Sequence, residues 1–138
     1  MTIQLDHIIV PSHSRRASAK LLADLLAVPW EESRGDFTPV YVNESLTVDF
    51  ADRERFEHYH LCFRVSDDDF DAIFARIQGA GLAYRSRPHG EDDMQINRRL
   101  GGKNVYWRDA DGHQWEILTV SYARADSPAP VTAASSPS

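Results

Sequence analysis

The feature that most restricts the fold of this chain is a segment used twice. His7-Ile8-Ile9-Val10-Pro11-Ser12 and His60-Leu61-Cys62-Phe63-Arg64-Val65-Ser66 each set a histidine on an apolar strand candidate that runs into a helix cap. Two copies are too few for a solenoid, which needs at least about three units. They suit a pseudo-twofold domain with a shared cleft. The element order agrees: strand–helix–strand–strand, with room for one more short strand, then strand–helix–strand–strand–strand.

Ile3–Val10 reads as a strand stopped by Pro11, and Ser12 or Ser14 can cap the next helix. Ala17, Leu21, Leu22, Leu25 and Leu26 form its apolar stripe, and Pro29 ends it. Phe37–Val42 and Leu46–Phe50 are strand candidates across a turn at Asn43-Glu44. In the second half Tyr59–Val65 is a strand. Ser66 and Asp67–Asp69 supply a cap and an acidic first turn. Phe70, Ile73, Phe74 and Ile77 fall at helical spacing, and Gly79 and Gly81 close the helix. Leu82–Arg85 is a short strand candidate. The polar stretch 86–104 is long for a plain connection, which marks it as functional or mobile. Val105–Arg108 and Gln114–Val120 are strands joined by Asp109-Ala110-Asp111-Gly112. One domain is expected over 1–122, its modules at about 1–55 and 56–122. Residues 123–138, rich in Ala, Ser and Pro, read as a disordered tail.

Charge narrows the partners. Fifteen basic against twenty-one acidic residues give −6, which argues against nucleic acid or an anionic membrane. The single cysteine, Cys62, makes no internal disulfide. Met1–Val10 lacks the basic and apolar regions of a signal peptide, and no stretch approaches the roughly 20 apolar residues that span a bilayer. The cytoplasm is the expected compartment.

Strand periodicity points to chemistry. His58, His60, Cys62 and Arg64 share one strand face; Tyr59, Leu61, Phe63 and Val65 form an apolar back. Leu5, His7 and Ile9 share a face, as do Gln114, Glu116 and Leu118. Glu116 stands between Trp115 and Ile117, where burial without a partner costs several kcal/mol. A metal held with His7 and His60 would remove that cost. Two imidazoles and a carboxylate suit Fe, Mn, Zn or Ni with open positions. The plain alternative is two core histidines and a glutamate paired with an arginine.

Three blocks resemble the vicinal oxygen chelate (glyoxalase/bleomycin-resistance/dioxygenase) superfamily: Leu5-Asp6-His7-Ile8-Ile9-Val10, His60-Leu61-Cys62-Phe63-Arg64-Val65, and Val105-Tyr106-Trp107-Arg108-Asp109-Ala110-Asp111-Gly112-His113-Gln114-Trp115-Glu116. The last is similar to the family's closing hairpin, with Ala110 in place of the usual Pro. The resemblance covers about residues 3 to 122. It implies an α+β fold of two βαβββ modules forming an open cupped mixed sheet with helices outside, and a homodimer. It implies one divalent metal on His7, His60 and Glu116. Asp49 faces away from the apolar Leu46, Val48 and Phe50; it is a fourth ligand, a general base or a solvent-facing aspartate. Tyr106 resembles a tyrosine near the substrate in fosfomycin-modifying members and is equally common as packing.

The implied function is a metal-dependent enzyme on a small oxygen-chelating substrate. Lyase, isomerase or thiol-transferase chemistry, the last with a thiol co-substrate, ranks ahead of extradiol cleavage, whose enzymes are about twice this length. The alternative is a drug-sequestering dimer, usually without the metal triad. Arg98, Arg99 and Lys103 suit either closure over an anion or a solvated loop face, the latter favoured. His58, His89 and His113 are expected at the surface, and Cys62 as an inert thiol.

Overall fold

The computed structural model describes residues 1–124. The tail expected from residue 123 lies outside them, apart from its first two residues. Two compact units make up the chain, Met1–Tyr59 and one that begins at His60.

In the first unit β1 (His7–Ser12) leads into α1 (Arg15–Leu26), followed by β2 (Phe37–Tyr41) and β3 (Thr47–Asp52). The sheet order is β1-β3-β2, with β1 parallel and β2 antiparallel to β3. A parallel pair needs a crossover, and α1 supplies it. Ser14 is the cap, its hydroxyl accepting from the Ala17 N–H at 3.4 Å. The helix buries Ala19, Leu22, Ala23 and Leu25. Ala17, expected in the stripe, is exposed. The small side chains of Ala19 and Ala23 are what α1 sets against its strands, so the buried face is rotated.

The first strand also differs from expectation. It begins at His7 rather than Ile3 and passes through Pro11 to Ser12. Among the described residues β1 is an edge strand that pairs with β3, and a residue without an N–H is tolerated on an edge. Ile3 and Leu5 precede the pairing and stay exposed.

The second unit repeats the plan with β4 (His60–Arg64), α2 (Asp67–Gly79), β5 (Asn104–Arg108) and β6 (Gln114–Leu118). Its order is β4-β6-β5, again with the first strand parallel and the middle one antiparallel to the last. The extra strand of each module is reduced to isolated bridges, Trp30 with Val40 in the first and Arg85 with Tyr106 and Asn97 with Asn104 in the second. Leu82–Arg85 therefore does not form the expected strand. Arg85 alone exchanges both backbone bonds with Tyr106, at 2.9 Å each, and the polar residues beyond it carry no strand alternation. Ser66 caps α2 through the Asp69 N–H at 3.1 Å, and Phe70, Ile73 and Ile77 are buried.

The β5–β6 hairpin has a buried back of Val105, Trp107, Trp115 and Ile117. Its turn is tied by Asp109. One carboxylate oxygen accepts from the N–H groups of Asp111 (2.9 Å) and His113 (3.0 Å), the other from the Trp115 indole (2.9 Å). Gly112 has φ 85, the left-handed region that favours glycine. These bonds hold the turn with Ala110 in it. His113 is fully buried, which corrects its expected surface position; the backbone bond to Asp109 draws it inward. Among the described residues no helix is long and apolar enough to cross a membrane.

Candidate metal centre

Glu116 sits in the middle of β6, with Cys62 opposite it on β4 and Tyr106 opposite it on β5. Gln114 is the partner of His60. Residues in register point to the same side of a sheet, so these five side chains share one face and Trp115 and Ile117 the other.

The Glu116 carboxylate is fully buried. It accepts from three donors. His60 Nε2 is 3.0 Å from Oε1, Asn104 Nδ2 is 3.2 Å from Oε2, and the Tyr122 hydroxyl is 2.7 Å from both oxygens. Hydrogen bonds to a charged group are worth about 1.5–3 kcal/mol each. Together they offset the several kcal/mol that burial of a lone carboxylate costs.

The surrounding groups hold their protons. Burial pushes the Tyr106 phenol up, helped by the negative charge of Glu116 and opposed by the bond from Tyr122. Desolvation and Glu116 together push the Cys62 thiol far up, so it is not a nucleophile at neutral pH. Burial and its bonds to Tyr106 and Glu116 raise Tyr122 likewise. The two tyrosine hydroxyls are 3.1 Å apart, and the Tyr106 ring meets the His60 ring edge-on at 6.0 Å. His60, Cys62, Arg64, Glu116, Leu118 and Tyr122 line a depression of about 380 Å³ on this face.

In the first unit His7 pairs with Thr47 and Ile9 with Asp49, so His7 and Asp49 share a face. Asp49 is half-buried. The His7 Nδ1 is 2.8 Å from an Asp6 carboxylate oxygen. That bond raises the imidazole above its ordinary value, desolvation opposes it, and the charges of Asp6 and Asp49 add to it.

Of the residues singled out in the sequence, His60, Glu116 and Tyr106 thus stand together in one unit, while His7 and Asp49 lie in the other. Among the described residues no three His, Cys, Asp or Glu side chains form a metal-holding group. Lys103 is not free to close over a ligand: Asp71 and Asp67 of α2 hold its ammonium at 2.7 and 3.4 Å. Arg98 and Arg99 remain exposed in the loop.

Four contributors were not foreseen. Gln114 shares the Glu116 face by simple alternation, a signal present in the sequence. Asn104 needs the β5–β6 register to be found. Arg85 carried a weak signal, a charge ending an apolar run. Tyr122 follows the last strand and had none.

No family model matches the chain. Oxidase ChaP-H2 is 41% identical, over 91% of this chain and 100% of its own, with TM-score 0.83. Oxidase ChaP-H1 is 38% identical, over 89% and 100%, with TM-score 0.81. A variant of the fosfomycin resistance protein FosX from Listeria monocytogenes, complexed with Mn(II) and 1S,2S-dihydroxypropylphosphonic acid, is 17% identical over 86% and 90%, with TM-score 0.64. At that identity the FosX likeness shows the fold alone.

The chain is a vicinal oxygen chelate (VOC) protein. Its α+β architecture is that of the VOC fold.

His60 and Glu116 give this VOC chain two donors of the kind a divalent metal takes. Two ligands bound side by side on one ion at about 2.1 Å stand about 3 Å apart. The His60 and Glu116 donors have that separation, 3.0 Å. An imidazole and a carboxylate, one of them wholly removed from water, are the types a borderline cation takes.

Proposed function

We propose that this chain is a divalent-metal-dependent VOC enzyme that oxidises a small substrate offering two neighbouring oxygens to the metal, with dioxygen as electron acceptor. The observation that carries the reading is the buried Glu116 carboxylate with the His60 imidazole 3.0 Å away. In this reading His60, Glu116 and His7 are the ligands, of one ion among Fe, Mn, Zn and Ni. Bound there, the ion would supply Lewis acidity toward substrate oxygens and, as Fe, Mn or Ni though not Zn, a path for electrons. The names of the two relatives at 41% and 38% identity favour oxidation over isomerase, lyase or thiol-transferase chemistry.

The chain's own groups do the remaining work. Glu116 brings negative charge and His60 a neutral donor. Tyr106 donates a hydrogen bond to a substrate oxygen and orients it beside His60. Asp49, on the His7 face, serves as general base. Leu118 and Tyr122 keep water from the carboxylate. The protein acts as a homodimer, which light scattering after size exclusion would check.

Metal analysis of the purified protein tests the reading, alongside His7→Ala, His60→Ala and Glu116→Ala. The expected result is about one ion per chain, lost in all three variants, with metal-dependent dioxygen uptake on catechol-like and hydroxyketone substrates. Folded, metal-free wild type that binds drugs without turnover would instead place it with the sequestering members.

A further inference from the structure

We propose that Arg85, acting through Gln114, holds His60 in the tautomer with its proton on Nε2, and so sets how tightly a metal is captured. The proposal rests on the reading of His60 as a ligand. It begins with a buried arginine that the metal site does not itself require.

The Arg85 side chain is 3% exposed. One guanidinium nitrogen donates to the Gly90 carbonyl at 3.2 Å, and a second donates to the Gln114 side-chain oxygen. A guanidinium has no acceptor, so it fixes which way the amide lies. The oxygen of Gln114 faces Arg85, and its nitrogen faces His60 Nδ1 at 3.2 Å. An amide nitrogen only donates, so Nδ1 accepts. A neutral imidazole that accepts at Nδ1 carries its hydrogen on Nε2. That Nε2–H points at Glu116 Oε1, 3.0 Å away, and a carboxylate only accepts. Each link selects the same tautomer.

A metal on Nε2 needs the lone pair there, so the proton must sit on Nδ1. Metal-bound histidines almost always donate their other N–H to an acceptor. Gln114 can offer one only by turning its amide, which sets its NH2 against the Arg85 guanidinium. Arg85 therefore opposes metal capture, and Gln114 is the hinge of that opposition. Both are positioning residues: they act on the ligand, not on substrate.

The test uses the full chain with its imidazole nitrogens labelled with 15N. Long-range proton–nitrogen spectra of the metal-free protein should show His60 with its hydrogen on Nε2. In Gln114→Glu a carboxylate faces both Arg85 and Nδ1, and the hydrogen should move to Nδ1. Gln114→Leu, which keeps neither donor nor acceptor, should relax the bias. Affinity for Mn(II) and Zn(II), measured by calorimetry, should follow Glu above Leu above Gln, with the Glu variant tighter by about tenfold to a hundredfold. Wild-type His60 already protonated on Nδ1 would overturn the proposal whatever the metal does. A tautomer that moves as expected with unchanged metal affinity would overturn the coupling. If no variant binds metal, the ligand reading of His60 falls, and the spectra still show whether Arg85 and Gln114 set the tautomer.

Discussion

The Tyr122 hydroxyl stands 2.7 Å from both carboxylate oxygens of Glu116. Its residue is 43% exposed while the carboxylate is wholly buried, so the ring covers Glu116 from the solvent side. An oxygen that accepts from a phenol has less to give a cation. Metal capture must displace the phenol or compete with it. Tyr122→Phe should therefore bind Mn(II) or Zn(II) about tenfold more tightly, the equivalent of one hydrogen bond to a charged group. The metal-free variant should be less stable by about 1–2 kcal/mol, since the carboxylate loses a donor. Calorimetric titration and thermal unfolding read the two effects. Equal or weaker metal binding in the variant would show that the phenol does not compete.

Glu116 also holds the unit together. Glu116→Ala takes the acceptor from the Asn104 amide and the His60 imidazole, leaves the Tyr122 hydroxyl with Tyr106, and opens a space beneath them. The expected cost is about 3 kcal/mol, seen as a lower midpoint in urea at an unchanged slope. Glu116→Gln keeps the shape and one of the two acceptor oxygens, so it should cost less than the Ala variant while abolishing metal binding. A Gln variant that still binds metal at wild-type affinity would remove Glu116 from the ligand set.

Much of this was legible because both halves obey simple periods. The α2 spacing of Phe70, Ile73 and Ile77, and the alternation that set Glu116 with Gln114 and away from Trp115 and Ile117, follow from side-chain geometry alone; the β4–β6 register makes that face the one His60 shares. Pro11 misled because its tolerance depends on β1 being an edge, which no local pattern announces. His113 misled because a polar residue in a turn normally faces water, whereas Asp109 folds this turn inward. Arg85, Asn104 and Tyr122 reach the site from the loop side, the hairpin partner and the segment past β6. Only tertiary pairing brings them there, so sequence spacing carries no trace of their meeting.

The loop after Arg85 is pinned by Asp93. Its carboxylate accepts from the Ser86 hydroxyl at 2.5 Å, from the Ser86 N–H at 2.9 Å and from the Gln95 N–H at 3.1 Å. The bond from the Ser86 side chain is the main cause that holds Asp93 below its ordinary value of 3.8; the backbone bonds and Arg87 add to it against slight desolvation. A depressed carboxylate contributes order that is complete above its unfolded value and is lost as pH falls through the folded one. Protection of the Ser86 and Gln95 amides should thus be flat through neutral pH and fall below about pH 4. Asp93→Ala should show the low protection at every pH. Protection in the wild type that survives well below that range would mean the loop is held by something else.

Asp109 steadies the turn beside the strand pairing that sets Glu116 on its face. Its carboxylate gathers the Asp111 and His113 N–H groups and the Trp115 indole, and so fixes the β5–β6 turn that pairs Tyr106 with Glu116. A shift of that pairing by one residue would turn every β6 side chain to the opposite face, exchanging Glu116 for Trp115 and Ile117. Asp109→Ala leaves three donors without their acceptor, one of them on the buried Trp115 ring, and should cost about 2–4 kcal/mol. Asp109→Asn keeps one acceptor oxygen and should recover part of that loss. Because burial of Trp115 and Ile117 resists the slip, the Ala variant should keep its register in the fraction that folds. Its metal affinity in the cold should then match wild type while its unfolding midpoint drops. A variant that stays as stable as wild type would show that the turn is held by its backbone alone. One that is folded but metal-free would show that Asp109 sets the register as well as the stability.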